Sequence, residues 1–194
     1  DNCWTGTAGD NLWNTAGNWT AGVPTSSQNV LVNVASNPSI IVSGANASAG
    51  ILVLDENLTV NNGVAFSVSS LFKLEAGTST INGSGTKTLA AGSQADTVNG
   101  SFALTAGTLD VSTQTLVLNG SVSQTSGVLT SQLTGTVNYN QGSGGQAVLA
   151  GTYGNLTFSN FNKTLASSGT IGIAGTFTPG SAIAHTITDS TVDF

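Results

Sequence analysis

The chain contains no methionine and no arginine, and its 194 residues include a single cysteine and a single histidine. A lone cysteine, Cys3, excludes any disulfide within the chain. Its plain reading is a small capping residue, and its sharper reading is a bridge between copies. Charge is nearly missing as well. Only 6% of residues are charged, against about 25% in an ordinary soluble domain. So little charge leaves little repulsion to keep copies apart. The cations Lys73, Lys87 and Lys163 are scattered, and the net charge is −6. No basic stripe exists to neutralise phosphates, which argues against nucleic acid as a partner. No apolar run approaches the roughly 18 residues of a membrane helix. Disorder is excluded too, because disordered chains pair low hydrophobicity with high charge, whereas 39% of these residues are apolar.

Catalytic raw material is equally scarce. His185 lies in the alternating stretch Ile183-Ala184-His185-Thr186-Ile187 and reads as a packed strand residue. Ser143 sits in a Gly-rich turn with no candidate base near it in sequence. Asp55-Glu56 is the only adjacent acidic pair, and it reads as a solvated corner. Asp96, Asp110, Asp189 and Asp193 are too dispersed to argue a paired-carboxylate groove. No nucleophile elbow, phosphate-binding loop or metal-ligand spacing is found. The expectation is a non-enzymatic protein without metal or cofactor.

What the sequence does have is repetition, with 25 glycines and many Asn, Ser and Thr. Asn99-Gly100-Ser101 returns as Asn119-Gly120-Ser121. In step with them, Thr105, Gly107 and Leu109 return as Thr125, Gly127 and Leu129, and Val117 as Val137. An earlier Asn82-Gly83-Ser84 opens the series, and Glu75-Ala76-Gly77-Thr78 repeats the Gly-centred phrase. A period near twenty implies a stacked β-architecture. Short runs such as Val30, Val32, Val34 and Val64, Phe66, Val68 alternate as strands, while Ile40-Ile41-Val42 and Ile51-Leu52-Val53-Leu54 suit strands covered on both faces. Turn signals at Asn37-Pro38, Ser43-Gly44, Asp55-Glu56-Asn57 and Asn61-Asn62-Gly63 separate them. The fold expected is all-β: a β-solenoid, or parallel β-helix, with coils of about 20 residues. Some nine coils would make a rod of roughly 45 Å. The alternative is a β-sandwich subunit completed by strand exchange. Asn-x-Ser/Thr occurs at Asn18, Asn46, Asn57, Asn82, Asn99, Asn119, Asn155 and Asn162. These are possible N-glycosylation acceptors, or plain corner residues whose amides stack between coils.

Residues 1–24 stand apart, because they hold all three tryptophans: Trp4, Trp13 and Trp19. They suit an N-terminal cap on a body spanning 25–194, or an aromatic platform for stacking sugars. This opening resembles the first segment of autotransporter-like and adhesin-like β-helix proteins of bacterial surfaces. The matching residues are Trp4, Gly6, Trp13, Asn14, Asn18, Trp19, Gly22 and Pro24. A longer repeat begins at Thr136, where Thr136-Val137-Asn138-Tyr139 is echoed by Thr191-Val192-Asp193-Phe194. Between them lie Gly144-Gly145-Gln146-Ala147-Val148, Tyr153-Gly154-Asn155-Leu156-Thr157-Phe158, Lys163-Thr164-Leu165 and Gly175-Thr176-Phe177-Thr178-Pro179-Gly180. Residues 136–194 resemble a module found in tandem in large bacterial surface and gliding-associated β-helix proteins.

Both resemblances imply a secreted surface protein, and the start at Asp1 without Met is expected from removal of a signal peptide. Two roles compete. One is a structural component of an extracellular filament or surface layer, self-assembling with copies of itself or continuing into further repeats, with Thr191, Val192, Asp193 and Phe194 as the assembly edge. The other is an adhesin or stalk fragment that binds glycans through Trp4, Trp13 and Trp19. Ice binding by Thr rows is a lesser possibility, since Thr86-Lys87-Thr88, Thr134-Gly135-Thr136 and Thr176-Phe177-Thr178 occur but share no single period.

Overall fold

The computed structural model describes residues 1–36, 38–61, 63–74, 78–81, 86–89, 95–181 and 184–194, the stretches 78–81 and 86–89 by backbone alone. The expected turn residues Asn37 and Asn62, the phrases 75–77 and 82–84, and Ile183 lie outside these. The protein is an all-β solenoid of about seven turns, with parallel strands stacked about 20 residues apart. Seven turns at about 4.8 Å give a rod of about 34 Å, shorter than nine coils would make. The coil count falls because the first body strand begins only at Asn29, and because some steps exceed twenty, as where Leu74 pairs with Val98. The only helical turn among the described residues is the short 3-10 turn Ala16–Asn18.

Each coil has three sides. Face one stacks Asn2–Cys3, Asn29–Val32, residues 51–54, residues 71–74, Asp96–Val98, Thr115–Leu118, Thr136–Tyr139, Asn155–Phe158 and Phe177–Thr178. Face two stacks Ser39–Val42, Asn57–Val60, Thr78–Ile81, Ser101–Leu104 and Val122–Gln124. Its next strands, Gln146–Val148 and Lys163–Leu165, pair with each other as a separate two-stranded sheet. Face three stacks residues 47–49, residues 65–68, Thr86–Leu89, Thr108–Asp110, Val128–Thr130, Gly151–Tyr153, Thr170–Ile173 and Thr191–Asp193. All this pairing is parallel, which rules out the antiparallel sandwich. Strands Ala47–Leu54 and Ala65–Leu74 run round the corner from face three to face one without a break.

Alternation decides what is inside. In Asn57–Val60, Leu58 and Val60 are buried, and in Thr115–Leu118 it is Leu116 and Leu118. The dense runs alternate too: Leu52 and Leu54 are buried, while Ile51 and Val53 point outward and are half-buried against neighbouring rungs. The inward side chains form one continuous core from Trp4 to Ile173. No coil could bury its own apolar residues alone, so stability lives in coil-to-coil contact.

The twenty-residue echo is a literal stack. Asn119 Nδ2 donates to Asn99 Oδ1 at 2.7 Å, and the hydroxyls of Ser101 and Ser121 lie 2.8 Å apart. Leu109 registers with Leu129. Gly120 sits so close over the rung below that a Cβ there would overlap the Gly100 carbonyl oxygen. Gly107 turns the corner into face three at φ 73°, a backbone region glycine enters without strain. The other echoes do not stack as written. Val137 pairs with Leu116 and not Val117, because that coil is one residue longer. Thr78 opens a face-two strand, whereas Thr108 and Val128 open face-three strands. Thr136–Tyr139 lies on face one and Thr191–Asp193 on face three, so the long echo does not fall at a whole number of turns.

Gly120→Ala is expected to lower stability by about 1–3 kcal/mol through overpacking. Gly142→Ala, where a Cβ meets nothing within 4 Å, should change it by less than about 0.5 kcal/mol. Urea unfolding of the two variants checks both.

Candidate functional site

The two ends of the solenoid are built differently. At the N-terminal end the chain folds back over its own first coil. Asn2–Cys3 extends face one, and Leu12 bridges Ile41 of face two, with Trp13 N donating to Ile41 O at 2.9 Å and Ile41 N to Asn11 O at 3.0 Å. Asn14 Nδ2 covers the corner before face three, donating to the carbonyls of Ser43 and Ala45. The tryptophans close the core beneath. Trp4 and Trp19 meet edge to face at 4.8 Å, Trp13 and Trp19 at 4.7 Å, and Trp13 reaches Phe66 at 4.9 Å. Trp19 Nε1 donates to Trp13 O at 2.7 Å. The three residues are 4%, 0% and 5% exposed, so no ring face is open for stacking a sugar. Buried Asn18 ties the loop, donating to Asp10 Oδ1 and Leu12 O and accepting from Ala8 N. Thr15 Oγ1 donates to Asp10 Oδ2 at 2.6 Å, and these hydrogen bonds hold the Asp10 carboxyl below its usual range. Cys3 is half-buried, with its backbone tied to Thr20.

The C-terminal end has no such cover among the described residues. Among the described residues, Phe177–Thr178 pairs only with Asn155–Phe158, and Thr191–Asp193 only with Thr170–Ile173. Inside their rim lies an apolar cavity of about 240 Å³, lined among others by Phe158, Ile173, Phe177, Ile187, Val192 and Phe194. Phe194 is 79% exposed and Ile187 61%. Rings climb towards this mouth: Tyr139 to Phe158 at 6.1 Å, Phe158 to Phe177 at 5.1 Å and Phe177 to Phe194 at 6.2 Å. The edge residues Thr191, Asp193 and Phe194 are exposed and Val192 is half-buried. Unlike its alignment partner Tyr139, which is fully buried, Phe194 projects at the mouth.

Asparagine amides run up one corner as a ladder. Asn140 Nδ2 donates to Asn119 Oδ1 at 2.8 Å, and Asn160 Nδ2 to Asn140 Oδ1 at 2.7 Å, continuing the Asn119–Asn99 rung. Asn160 holds φ 62° to stay in line. Of the acceptor motifs, Asn119 is locked in this ladder, Asn18 is buried, and Asn155 bonds Leu133 O and Thr176 N. Asn46, Asn57, Asn99 and Asn162 are exposed residues, though Asn99 Oδ1 is the foot of the same ladder and Asn46 Oδ1 accepts from Ala65 N, and Asn82 lies outside the described residues. Thr136 and Thr178 lie on face one and Thr86 and Thr88 on face three, so the Thr pairs do not make one row.

Several polar groups escaped the sequence reading. Glu56, expected at a solvated corner, is 3% exposed. Its Oε1 accepts from Val34 N at 2.6 Å, while Oε2 has no partner among the described residues. Burial pushes its carboxyl up, the Val34 N–H opposes this, and the Asp55 charge adds to it. Lys163 is 0% exposed, donates to Ser159 O at 2.8 Å, and burial pushes its ammonium down. His185 Nδ1 accepts from Lys163 N at 3.0 Å, and its Nε2 lies 3.0 Å from Pro179 O. Both ring nitrogens are engaged, which suits a packed residue lying edge-on to Phe158 at 4.9 Å, but His185 lies outside any strand and Ile187 is exposed, so the expected alternating strand does not form here. Asp96 is buried and accepts from Phe72 N at 2.6 Å. No simple spacing marks Glu56 or Lys163. Both are inward positions that the alternation should have made apolar.

A folded-state carboxyl raised above its unfolded value gives stability that is complete below the unfolded value and lost as pH rises through the folded one. The stability of Glu56→Gln relative to the parent chain is therefore expected to improve as pH is raised from about 4 to 7, because Gln carries no charge to bury. Denaturant unfolding at several pH values reads this difference. Compared with known proteins, the chain matches no family model, no curated protein and no solved structure.

Proposed function

We propose that this protein is a non-enzymatic structural component of a cell surface, extended by stacking copies on its C-terminal end into a filament or layer outside the cell. The observation that carries this reading is the contrast between the two ends. The N-terminal end is closed by three buried tryptophans under a polar loop. The C-terminal end offers an apolar mouth and strand edges with backbone groups available for β-augmentation. Burying an exposed Phe or Ile gains about 1.5–3 kcal/mol each, so Phe194 and Ile187 reward whatever coil comes next. The scarcity of charge removes the usual repulsion between copies. The resemblance of the opening segment and of residues 136–194 to bacterial surface β-helix proteins supports secretion. A coil supplied by further repeats of the same chain would use the same mouth.

Light scattering and electron microscopy of the purified protein test this. Growth into oligomers or filaments with rising concentration is expected, and the double variant Phe194→Ser/Ile187→Ser should abolish it while leaving the circular dichroism spectrum unchanged. A protein that stays monomeric at high concentration contradicts the proposal.

A further inference from the structure

The side of the rod carries an irregularity of its own. Between faces two and three, the corner in most coils takes three or four residues: Thr105–Gly107, Thr125–Gly127 and Ala166–Gly169. In one coil it takes two, Leu149 and Ala150. That corner is drawn inward between two protruding neighbours, and a groove of about 510 Å³ opens there. It coincides with the break in face two, where Val122–Gln124 and Gln146–Val148 belong to different sheets.

The short corner is held by buried polar groups brought from elsewhere. Tyr153 Oη donates to Leu149 O at 2.6 Å, and Leu149 N donates to Tyr139 Oη at 3.1 Å. The two hydroxyls lie 2.8 Å apart. Because the Tyr153 proton is used on Leu149 O, Tyr139 donates to Tyr153. Burial pushes the Tyr139 hydroxyl up to about 12 and that of Tyr153 well above its ordinary value, so both are neutral. On the outer side, the Gln124 side chain takes Ala150 N at 2.7 Å and donates to Ala150 O at 2.9 Å and Gly127 O at 2.8 Å. Gln146, 2% exposed, donates to the carbonyls of Leu118 and Gly120, at the corner between faces one and two of the coil before it.

We infer that this groove is a binding site for a neutral glycan chain. Its lips carry hydroxyls, from Thr125 and Ser126 on one side, where Ser126 Oγ donates to Thr105 O at 2.8 Å and is left to accept, and from Ser167 and Ser168 on the other. Its floor is formed by Ala147 and Ala150, small enough for the C–H face of a sugar ring. No charged side chain among the described residues lines it, so it offers no countercharge to a phosphate, sulfate or carboxylate. The lips belong to coils two rungs apart, about 10 Å, which sets a cleft for one chain and not a flat sheet of polymer. The groove opens on the side of the rod and shares only Leu165 with the lining of the C-terminal mouth, so binding here is read separately from assembly.

The test is titration of the full chain with cellohexaose, mannohexaose and chitohexaose, followed by calorimetry and amide chemical shifts. At least one is expected to bind, with shifts at Ala147, Ala150 and Ser167, and Ala147→Trp should weaken it by about tenfold or more. Thr157→Trp, outward on face one, should leave it unchanged. If Ala147→Trp does not fold, Ser126→Tyr on the exposed lip serves the same purpose. Failure of all three saccharides to bind at millimolar concentration overturns the inference. So does binding that ignores the groove substitutions, or binding of an uncharged Ser/Gly peptide in their place.

Discussion

Everything in this protein depends on the hydrogen-bonded ladder between successive coils. A single coil has three short strands, none with a partner in its own turn, and an apolar inner face too small to close on itself. The coil beneath supplies both the backbone partners and the apolar floor. Side chains follow the same rule: Asn99, Asn119, Asn140 and Asn160 pass one amide bond from rung to rung, and Ser101 meets Ser121. The close approach of Gly120 to Gly100 is the steric form of the same constraint.

A ladder of this kind has no natural stop, and its ends must be dealt with explicitly. At one end the chain spends its first residues on a closure of indole rings and side-chain amides. At the other, the last strands hold a ring of apolar side chains around an open cavity. This polarity distinguishes the two ends more sharply than any charge does. It is also the contrast on which the proposed stacking of copies rests.

The fold was largely legible in the sequence, because the stacking constraint writes itself into spacing. Gly100 and Gly120, Asn99 and Asn119, and Leu109 and Leu129 occupy equivalent places because each stands on the other. The alternating valines and leucines marked the inward faces for the same reason. The failures have physical causes too. Thr191-Val192-Asp193 copies Thr136-Val137-Asn138 in composition, but strands on any face need the same β-branched residues, so composition could not tell face one from face three. Glu56 and Lys163 sit at inward positions, and their burial depends on backbone carbonyls and amides that no side-chain pattern reveals. The short corner at Leu149–Ala150 was hidden because its partners, Tyr139, Tyr153 and Gln124, come from three different strands.

The central claim is that the C-terminal rim is covered by another copy, and hydrogen exchange read residue by residue as a function of protein concentration tests it most directly. The account predicts that amides of Phe177–Thr178 and Thr191–Asp193 become protected as concentration rises, while those of the tryptophan closure do not change. Protection of the rim that is the same at every concentration would contradict it.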